Sequence, residues 1–247
     1  GDLAAILPNL SAGDVLFIDE IHRLNSAIEE VMYPAMEAGV LDIVIGKGHS
    51  ARTVQLELPP FTLIAATTRI SMLSAPLRSR FSGGTFRLQY YSDAEIAEIL
   101  KRSAKILKIE ADDESLHEIS TRSRATPRTA NYLLKRSRDF AEVNEEKLDL
   151  KTVKKALALL EIDEGGLNQT DRDILNIIVE KFNGGPVGLK TIAASLSEEE
   201  ATIEEVNEPY LMQLGFLERT PRGRTVTKKG YEHIGVDIPK EQQKIGL

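Results

Sequence analysis

Val15-Leu16-Phe17-Ile18-Asp19-Glu20 is an apolar run that ends in two carboxylates. A short run of β-branched and aromatic residues, unbroken by polar ones, fits a strand buried on both faces of a parallel sheet. Phe61-Thr62-Leu63-Ile64-Ala65-Ala66 is a second such run, and it ends in Thr67-Thr68-Arg69. Between the two, Ile28, Val31, Met32, Ala35 and Met36 recur at helical spacing and predict an amphipathic helix over 25–38. Strand, helix, strand is the rhythm of an α/β domain. A strand-terminal Asp-Glu pair suits magnesium-assisted phosphate chemistry. Asp19 can hold the metal, usually through water, while Glu20 orients or deprotonates the attacking water. The bland alternative is an acidic helix start after a strand, so the neighbouring residues must decide.

Outward from that core, Leu41-Asp42-Ile43-Val44-Ile45 and Thr53-Val54-Gln55-Leu56-Glu57-Leu58 flank Gly46-Lys47-Gly48-His49-Ser50, a pattern that reads as a β-hairpin over 40–58. Packing on the domain is the default for its apolar residues, and an exposed apolar tip would mark a partner site. From Ser92 the composition turns helical. Ser92 and Glu95 form a capping box ahead of Ile96, Ile99 and Leu100, and further helices are predicted at 112–123, 127–142 and 150–160. Glu164-Gly165-Gly166 punctuates the chain, and Thr170 is a candidate cap for the next helix. The remainder predicts three helices and a hairpin from Phe216-Leu217-Glu218 to Thr225-Val226-Thr227, a winged-helix architecture.

Composition excludes several classes. The chain has 247 residues, 42% hydrophobic and 28% charged, which is ordinary globular composition rather than disorder or coiled coil. It has no cysteine, so neither a disulfide framework nor a thiolate metal site is available. No apolar run approaches the roughly 20 residues of a membrane span, and no membrane association is expected. The net charge of −7 argues against a globally basic nucleic-acid coat. Arg219, Arg222, Arg224, Lys228 and Lys229 nevertheless form a local basic island, the best candidate for phosphate contact.

Three further constellations bear on phosphate chemistry. Thr67-Thr68 would lie beside Asp19-Glu20 if the two apolar strands are neighbours, where a hydroxyl could sense a γ-phosphate; its plain role is a helix cap. Leu77-Arg78-Ser79-Arg80-Phe81 offers arginines suited to charge on a transferring phosphoryl group, or simply a solvated face. Thr126-Pro127-Arg128 opens a helix with proline where its missing N–H is harmless, and Arg128 could reach a nucleotide.

Taken in order, these motifs resemble the RuvB family of bacterial Holliday-junction branch-migration motors, over nearly the whole chain. The most specific are Leu16-Phe17-Ile18-Asp19-Glu20-Ile21-His22-Arg23-Leu24, Ala65-Ala66-Thr67-Thr68-Arg69, Pro76-Leu77-Arg78-Ser79-Arg80-Phe81, Gly184-Gly185-Pro186-Val187-Gly188-Leu189 and Arg219-Thr220-Pro221-Arg222-Gly223-Arg224. The first and third are shared more loosely by many AAA+ proteins. The resemblance implies a partial AAA+ P-loop NTPase core over 1–91, a helical lid over 92–163 and a C-terminal winged-helix domain over 164–247. It further implies Walker B residues at Asp19 and Glu20, sensor 1 at Thr68, an arginine finger at Arg80 with Arg78 in reserve, and sensor 2 at Arg128. Glu37, Ala38, Gly39 and Tyr91 match nucleotide-contacting positions, and Arg219, Arg222 and Arg224 match the DNA-contacting wing. ATP or ADP with Mg2+ are the implied cofactors. The implied partners are duplex or Holliday-junction DNA, a hexameric ring of identical subunits, RuvA docked on the 40–58 hairpin and RuvC in the resolving complex, all in the cytoplasm.

The sequence also departs from the family pattern. No Gly-x-x-x-x-Gly-Lys-Ser/Thr occurs in the 247 residues, and Gly46-Lys47-Gly48-His49 sits in a hairpin rather than between strand and helix. In the family that loop lies upstream of Gly1, so the chain reads as lacking an N-terminal part and, alone, as inactive. Glu37-Ala38-Gly39 replaces an acidic-aromatic stretch, Ala66 and Ala125 stand where glycine is usual, Ile70-Ser71-Met72 is bulkier than the pattern, and Ser82-Gly83-Gly84 adds a residue beside Arg80. Two other classes stay open on the residues alone: a winged-helix regulator with an oligomerising AAA-like portion, and another AAA+ machine such as a clamp loader. Against the regulator, Glu204, Glu205 and Glu208 on the candidate recognition helix oppose deep insertion into a groove.

Overall fold

A computed structural model describes residues 2–45 and 52–239, and the chain divides into two units, Gly1–Leu88 and Gln89–Leu247. In the first unit, helix α1 (Asp2–Ile6) and a 3-10 turn (Leu7–Asn9) precede strand β1 (Val15–Ile18). Helix α2 (Ser26–Ala38), strands β2 (Val40–Ile45), β3 (Arg52–Glu57) and β4 (Thr62–Ala65), and helix α3 (Ala75–Ser79) follow. Asn25 caps α2 by accepting the Ile28 N–H at 2.9 Å, and Gly39, at a φ of 64°, ends it in the left-handed conformation that glycine adopts freely.

β1 and β4 pair in parallel, Val15 opposite Thr62 and Ile18 opposite Ala65, so the condition set by the two apolar runs is met. Their expected burial on both faces is corrected. Leu16, Ile18 and Leu63 pack with Leu7, Met32, Ala35 and Leu41, while Val15 and Phe17 are 59% and 57% exposed. Successive side chains of a strand point to opposite faces, and α2 with the hairpin base covers only one of them.

β2 and β3 form the antiparallel hairpin, from Val40 opposite Glu57 to Ile45 opposite Arg52. The glycine-rich turn, 46–51, lies outside the described residues. The default of packing on the domain is also corrected here. Leu41 is buried at the base, but Ile43, Val54 and Leu56 are exposed, as is the whole of β3.

The second unit begins with helices α4 (Asp93–Leu107), α5 (Asp113–Thr121), α6 (Pro127–Val143) and α7 (Leu150–Leu159), which close on Ile96, Leu100, Ile119, Leu133, Leu134, Val153 and Leu157. The Ser92–Glu95 capping box is formed in both directions. Next come α8 (Gln169–Phe182), α9 (Leu189–Leu196), the short α10 (Glu200–Thr202), a π-helical turn (Ile203–Asn207) and α11 (Glu208–Gln213). Strands β5 (Leu217–Thr220) and β6 (Gly223–Val226) and helix α12 (Lys228–Ile234) complete the fold. The cap of α8 is Asn168 rather than Thr170. Asn168 accepts the Asp171 N–H at 2.9 Å and Asp171 returns the bond to the Asn168 N–H at 3.0 Å, a reciprocal arrangement that Thr170, already in the helix, cannot offer.

Helices α8, α9 and α11 surround Ile174, Leu175, Ile178, Ile192, Ile203 and Leu211, and the β5–β6 ribbon closes that core with Leu217 and Val226. This is a three-helix winged-helix arrangement. Val187 bridges β6 at Arg224, and two glycines permit the approach. A Cβ on Gly185 would stand 2.3 Å from the Arg224 carbonyl oxygen, and one on Gly223 2.4 Å from that of Val187. No helix among the described residues is long and apolar enough to cross a membrane.

Candidate functional site

Because β1 and β4 are parallel neighbours, Asp19-Glu20 and Thr67-Thr68 leave the sheet side by side at the carboxyl ends of the strands. Glu20 then turns into the left-handed region, φ 49° and ψ 49°, before a 3-10 turn (Ile21–Arg23). The Ile21 N–H is tied back to the Ala66 carbonyl at 3.0 Å. That turn aims the Glu20 carboxylate at β4. Its Oε2 accepts the Thr68 N–H at 3.2 Å and the Thr68 hydroxyl at 3.1 Å, and Oε1 lies 3.3 Å from the same hydroxyl. The bond from the Thr68 backbone, the largest cause, holds the Glu20 carboxyl below the usual glutamate range; desolvation opposes it, and the Thr68 hydroxyl with the nearby His22 and Arg23 adds to the lowering.

His22 completes the cluster, and the motif reading gave it no role. Its side chain is 8% exposed, and Nδ1 lies 3.0 Å from Glu20 Oε2 and 2.9 Å from Thr67 Oγ1. The sequence signal was only its place three residues after Asp19, and nothing local requires the ring to turn back toward Glu20. Asp19 is exposed, with Oδ1 accepting the Glu20 N–H at 3.0 Å. It offers a single carboxylate to a cation. Such a donor fits magnesium, which keeps most of its waters and needs only one or two carboxylates.

Arg80 is held within its own unit. Its guanidinium donates to the Pro76 carbonyl at 2.8 Å, pairs with Glu37 at 3.0 Å and lies 4.3 Å over the Tyr33 ring. Two residues singled out separately, Arg80 and Glu37, are therefore partners. Arg78 on α3 is exposed. Ala38 ends α2 and is exposed, and Gly39 supplies the helix cap. In the second unit, Tyr91 is 46% exposed just before the Ser92 cap, and Arg128 is exposed on the first turn of α6.

The wing separates the three arginines. Arg222 is exposed in the turn between the strands. Arg219 is half exposed and pairs with Glu204 at 3.0 Å. Arg224, expected at the DNA surface, is corrected: it is 8% exposed, its Nε donates to Glu208 Oε1 and its Nη2 to Glu208 Oε2 at 3.1 Å. Glu208, expected to be an acidic obstacle on the recognition helix, is 2% exposed and spent on that pair. Packing around the whole strand is the reason: β6 is buried at all four of its residues, with Val187 bridging it at Arg224, whereas Arg219, directly opposite on β5, is exposed.

Known proteins resemble this chain over most of its length. Three family models match in tandem: the Holliday junction DNA helicase RuvB P-loop domain over residues 1–88, the RuvB AAA lid domain over 91–163 and the RuvB C-terminal winged helix domain over 164–235. The Holliday junction branch migration complex subunit RuvB of Staphylococcus saprophyticus is 58% identical over 98% of this chain and 72% of its own length. That of Chloroflexus aggregans is 57% identical over 97% of this chain and 69% of its own. Among solved structures, the Thermotoga maritima RuvB Holliday junction branch migration motor superposes with a TM-score of 0.83 at 48% identity, covering 97% of this chain and 75% of that one. A proline-to-glycine mutant of the same Thermotoga protein gives 0.85 at 48%, over 97% and 76%. With three consecutive domain matches and relatives this similar over most of their length, the chain belongs to the RuvB family.

Proposed function

We propose that this chain works in an ATP-driven DNA motor that promotes branch migration at Holliday junctions in recombination and repair. The observation that carries the reading is the Glu20 carboxylate held against Thr68 at the carboxyl ends of two parallel strands. Glu20 takes the proton of the attacking water and Thr68 turns its hydroxyl to the γ-phosphate. Asp19 would hold magnesium through water, and that ion, when bound, neutralises charge on the phosphate oxygens. Arg128 and Tyr91 supply further nucleotide contacts, and Glu37, Ala38 and Gly39 are carried with them through the family pattern. Arg80 serves as a finger toward a neighbouring subunit of a hexameric ring, with exposed Arg78 in reserve. To do so it exchanges Glu37 for phosphate, at little cost, because a partly exposed pair of this kind contributes only about 0–1 kcal/mol.

Arg222 and Arg219 grip backbone phosphates without reading bases, which makes binding strongly salt-dependent. The apolar face of the hairpin, Ile43, Val54 and Leu56, supports docking of RuvA there, and RuvC joins in the resolving complex. A cytoplasmic place follows from work on chromosomal DNA. A sequence-reading regulator is the weaker alternative, since half-buried Glu204 stands on the segment that would enter the groove.

The 247 residues hold no phosphate-cradling glycine loop and by themselves are expected to bind ATP weakly. The test therefore uses a subunit that joins these residues to such a loop. A Glu20→Gln variant is expected to keep nucleotide and DNA binding and to lose ATP hydrolysis and branch migration. Unchanged migration would sink the assignment.

A further inference from the structure

We infer that His22 is a positioning residue for the hydrolytic step, clamping one oxygen of Glu20 so that the other is left for the attacking water. The inference rests on Glu20 as the acceptor of the water's proton. Nδ1 of His22 lies 3.0 Å from Glu20 Oε2. A carboxylate has no proton to give, so this close approach is favourable when Nδ1 carries the ring hydrogen. The hydrogen-bond partner of this nitrogen is Thr67 Oγ1 at 2.9 Å, an oxygen that also takes the Arg69 N–H at 3.0 Å, and Glu20 Oε2 lies beside that contact as an electrostatic neighbour. The ring is thus held from two sides in a nearly closed environment, its side chain 8% exposed.

The donors divide unequally between the two oxygens of Glu20. Oε2 takes the Thr68 N–H and lies against His22 Nδ1, and both stay when the Thr68 hydroxyl, 3.1 Å from Oε2, turns away. Among the described residues, the one hydrogen bond to Oε1 comes from that hydroxyl, at 3.3 Å. When the hydroxyl turns to a γ-phosphate, Oε1 is released and Oε2 stays anchored. Holding a general base within hydrogen-bond reach of its water is what this division accomplishes. The left-handed backbone at Glu20 orients the side chain toward β4, and His22 fixes its last torsion.

The test has a nucleotide-free arm and a kinetic arm. In this chain without nucleotide, the Thr68 amide proton, bonded to a carboxylate, should resonate downfield in NMR. His22→Ala should move it upfield as Glu20 swings free, whereas His22→Asn, whose amide places an N–H near the position of Nδ1, should keep it downfield. In a subunit carrying the phosphate-binding loop, His22→Ala should lower kcat by about 10- to 100-fold with KM for ATP unchanged. His22→Asn should recover most of that loss, and His22→Gln, which fills the volume but sets its amide one carbon further out, should not. An unmoved Thr68 amide in His22→Ala, or Gln rescuing as well as Asn, would overturn the inference and leave a packing role. Glu20→Gln run alongside separates the two levels. If it abolishes hydrolysis while His22→Ala does not, the clamp alone fails; if it leaves hydrolysis intact, the reading of Glu20 fails and the inference with it.

Discussion

Arg124 and Ala125 both lie in the left-handed region, at φ 56° and 52°, directly ahead of the helix that carries Arg128. For an L-residue with a Cβ this conformation costs about 1–2 kcal/mol. Arg124 recovers part of that through its bonds to Asp171 and to the Val206 carbonyl, at 2.9 Å each. Ala125 has no side chain able to do so, and the family pattern puts glycine there. Ala125→Gly is therefore expected to raise unfolding free energy by up to about 1 kcal/mol, read by urea denaturation at unchanged slope. Glu20 is strained in the same sense, but its carboxylate is held by Thr68 and His22. At Ala125 the strain stabilises nothing visible; at Glu20 it aims a functional group.

Within the wing, the antiparallel register of β5 and β6 puts Arg219 and Arg224 opposite each other, a like-charge pair that would be unfavourable unaided. The π-helical turn and α11 answer it by bringing Glu204 and Glu208 beneath them. Arg224→Ala leaves Glu208 buried and unpaired and is expected to cost about 3–5 kcal/mol, seen as a fall in melting temperature. Arg222→Ala should leave melting unchanged and weaken duplex binding, with the salt slope smaller by about one. Glu204→Gln should act oppositely to Arg222→Ala in a titration with duplex DNA. By freeing Arg219 from its carboxylate it should tighten binding, and no change would mean that Arg219 never meets phosphate. In the lid, Asp149 caps α7, and the bond from the Thr152 N–H, the largest cause, holds its carboxyl below the usual aspartate range. A depressed folded-state pKa contributes stability that is present above the ordinary aspartate value and is lost as pH falls through the folded value. Asp149→Ala should accordingly lower the melting temperature near neutrality and flatten its decline in acid.

The second unit as a whole, Gln89–Leu247, contains both the lid helices and the winged helix, and polar contacts tie the two. Asp171 is fully buried and accepts from Arg124 and from Asn207 Nδ2 at 2.7 Å. Arg124 also lies 4.6 Å over the Tyr210 ring, and the Tyr210 hydroxyl donates to the Gly165 carbonyl at 2.7 Å. Burial of that hydroxyl pushes its pKa up to about 12, so the donor persists at any working pH. We expect residues 89–247 to unfold in one transition in calorimetry. Asp171→Ala, which strands Arg124 and Asn207, should cost about 3–5 kcal/mol or split that transition in two. A single transition shifted by less than about 1 kcal/mol would show that apolar contact alone joins the parts.

The sequence by itself determined the elements and the family. Apolar runs, helical spacing and the capping boxes depend on residues within four positions of one another, and such relations are legible along a chain. It also named Asp19, Glu20 and Thr68 before their strands were known to be neighbours. Tertiary structure decided which charged groups are free to act. Arg224 faces Glu208 across 16 residues and Glu20 meets Thr68 across 48, and pairings of that range are set by how elements pack rather than by local pattern. So Arg224, the same residue type as Arg222 two positions away, was taken into the interior because its strand is packed on both faces, while Arg222 stayed at the turn in water. His22 became a partner of Glu20 only once a left-handed backbone turn brought its ring back beneath the carboxylate.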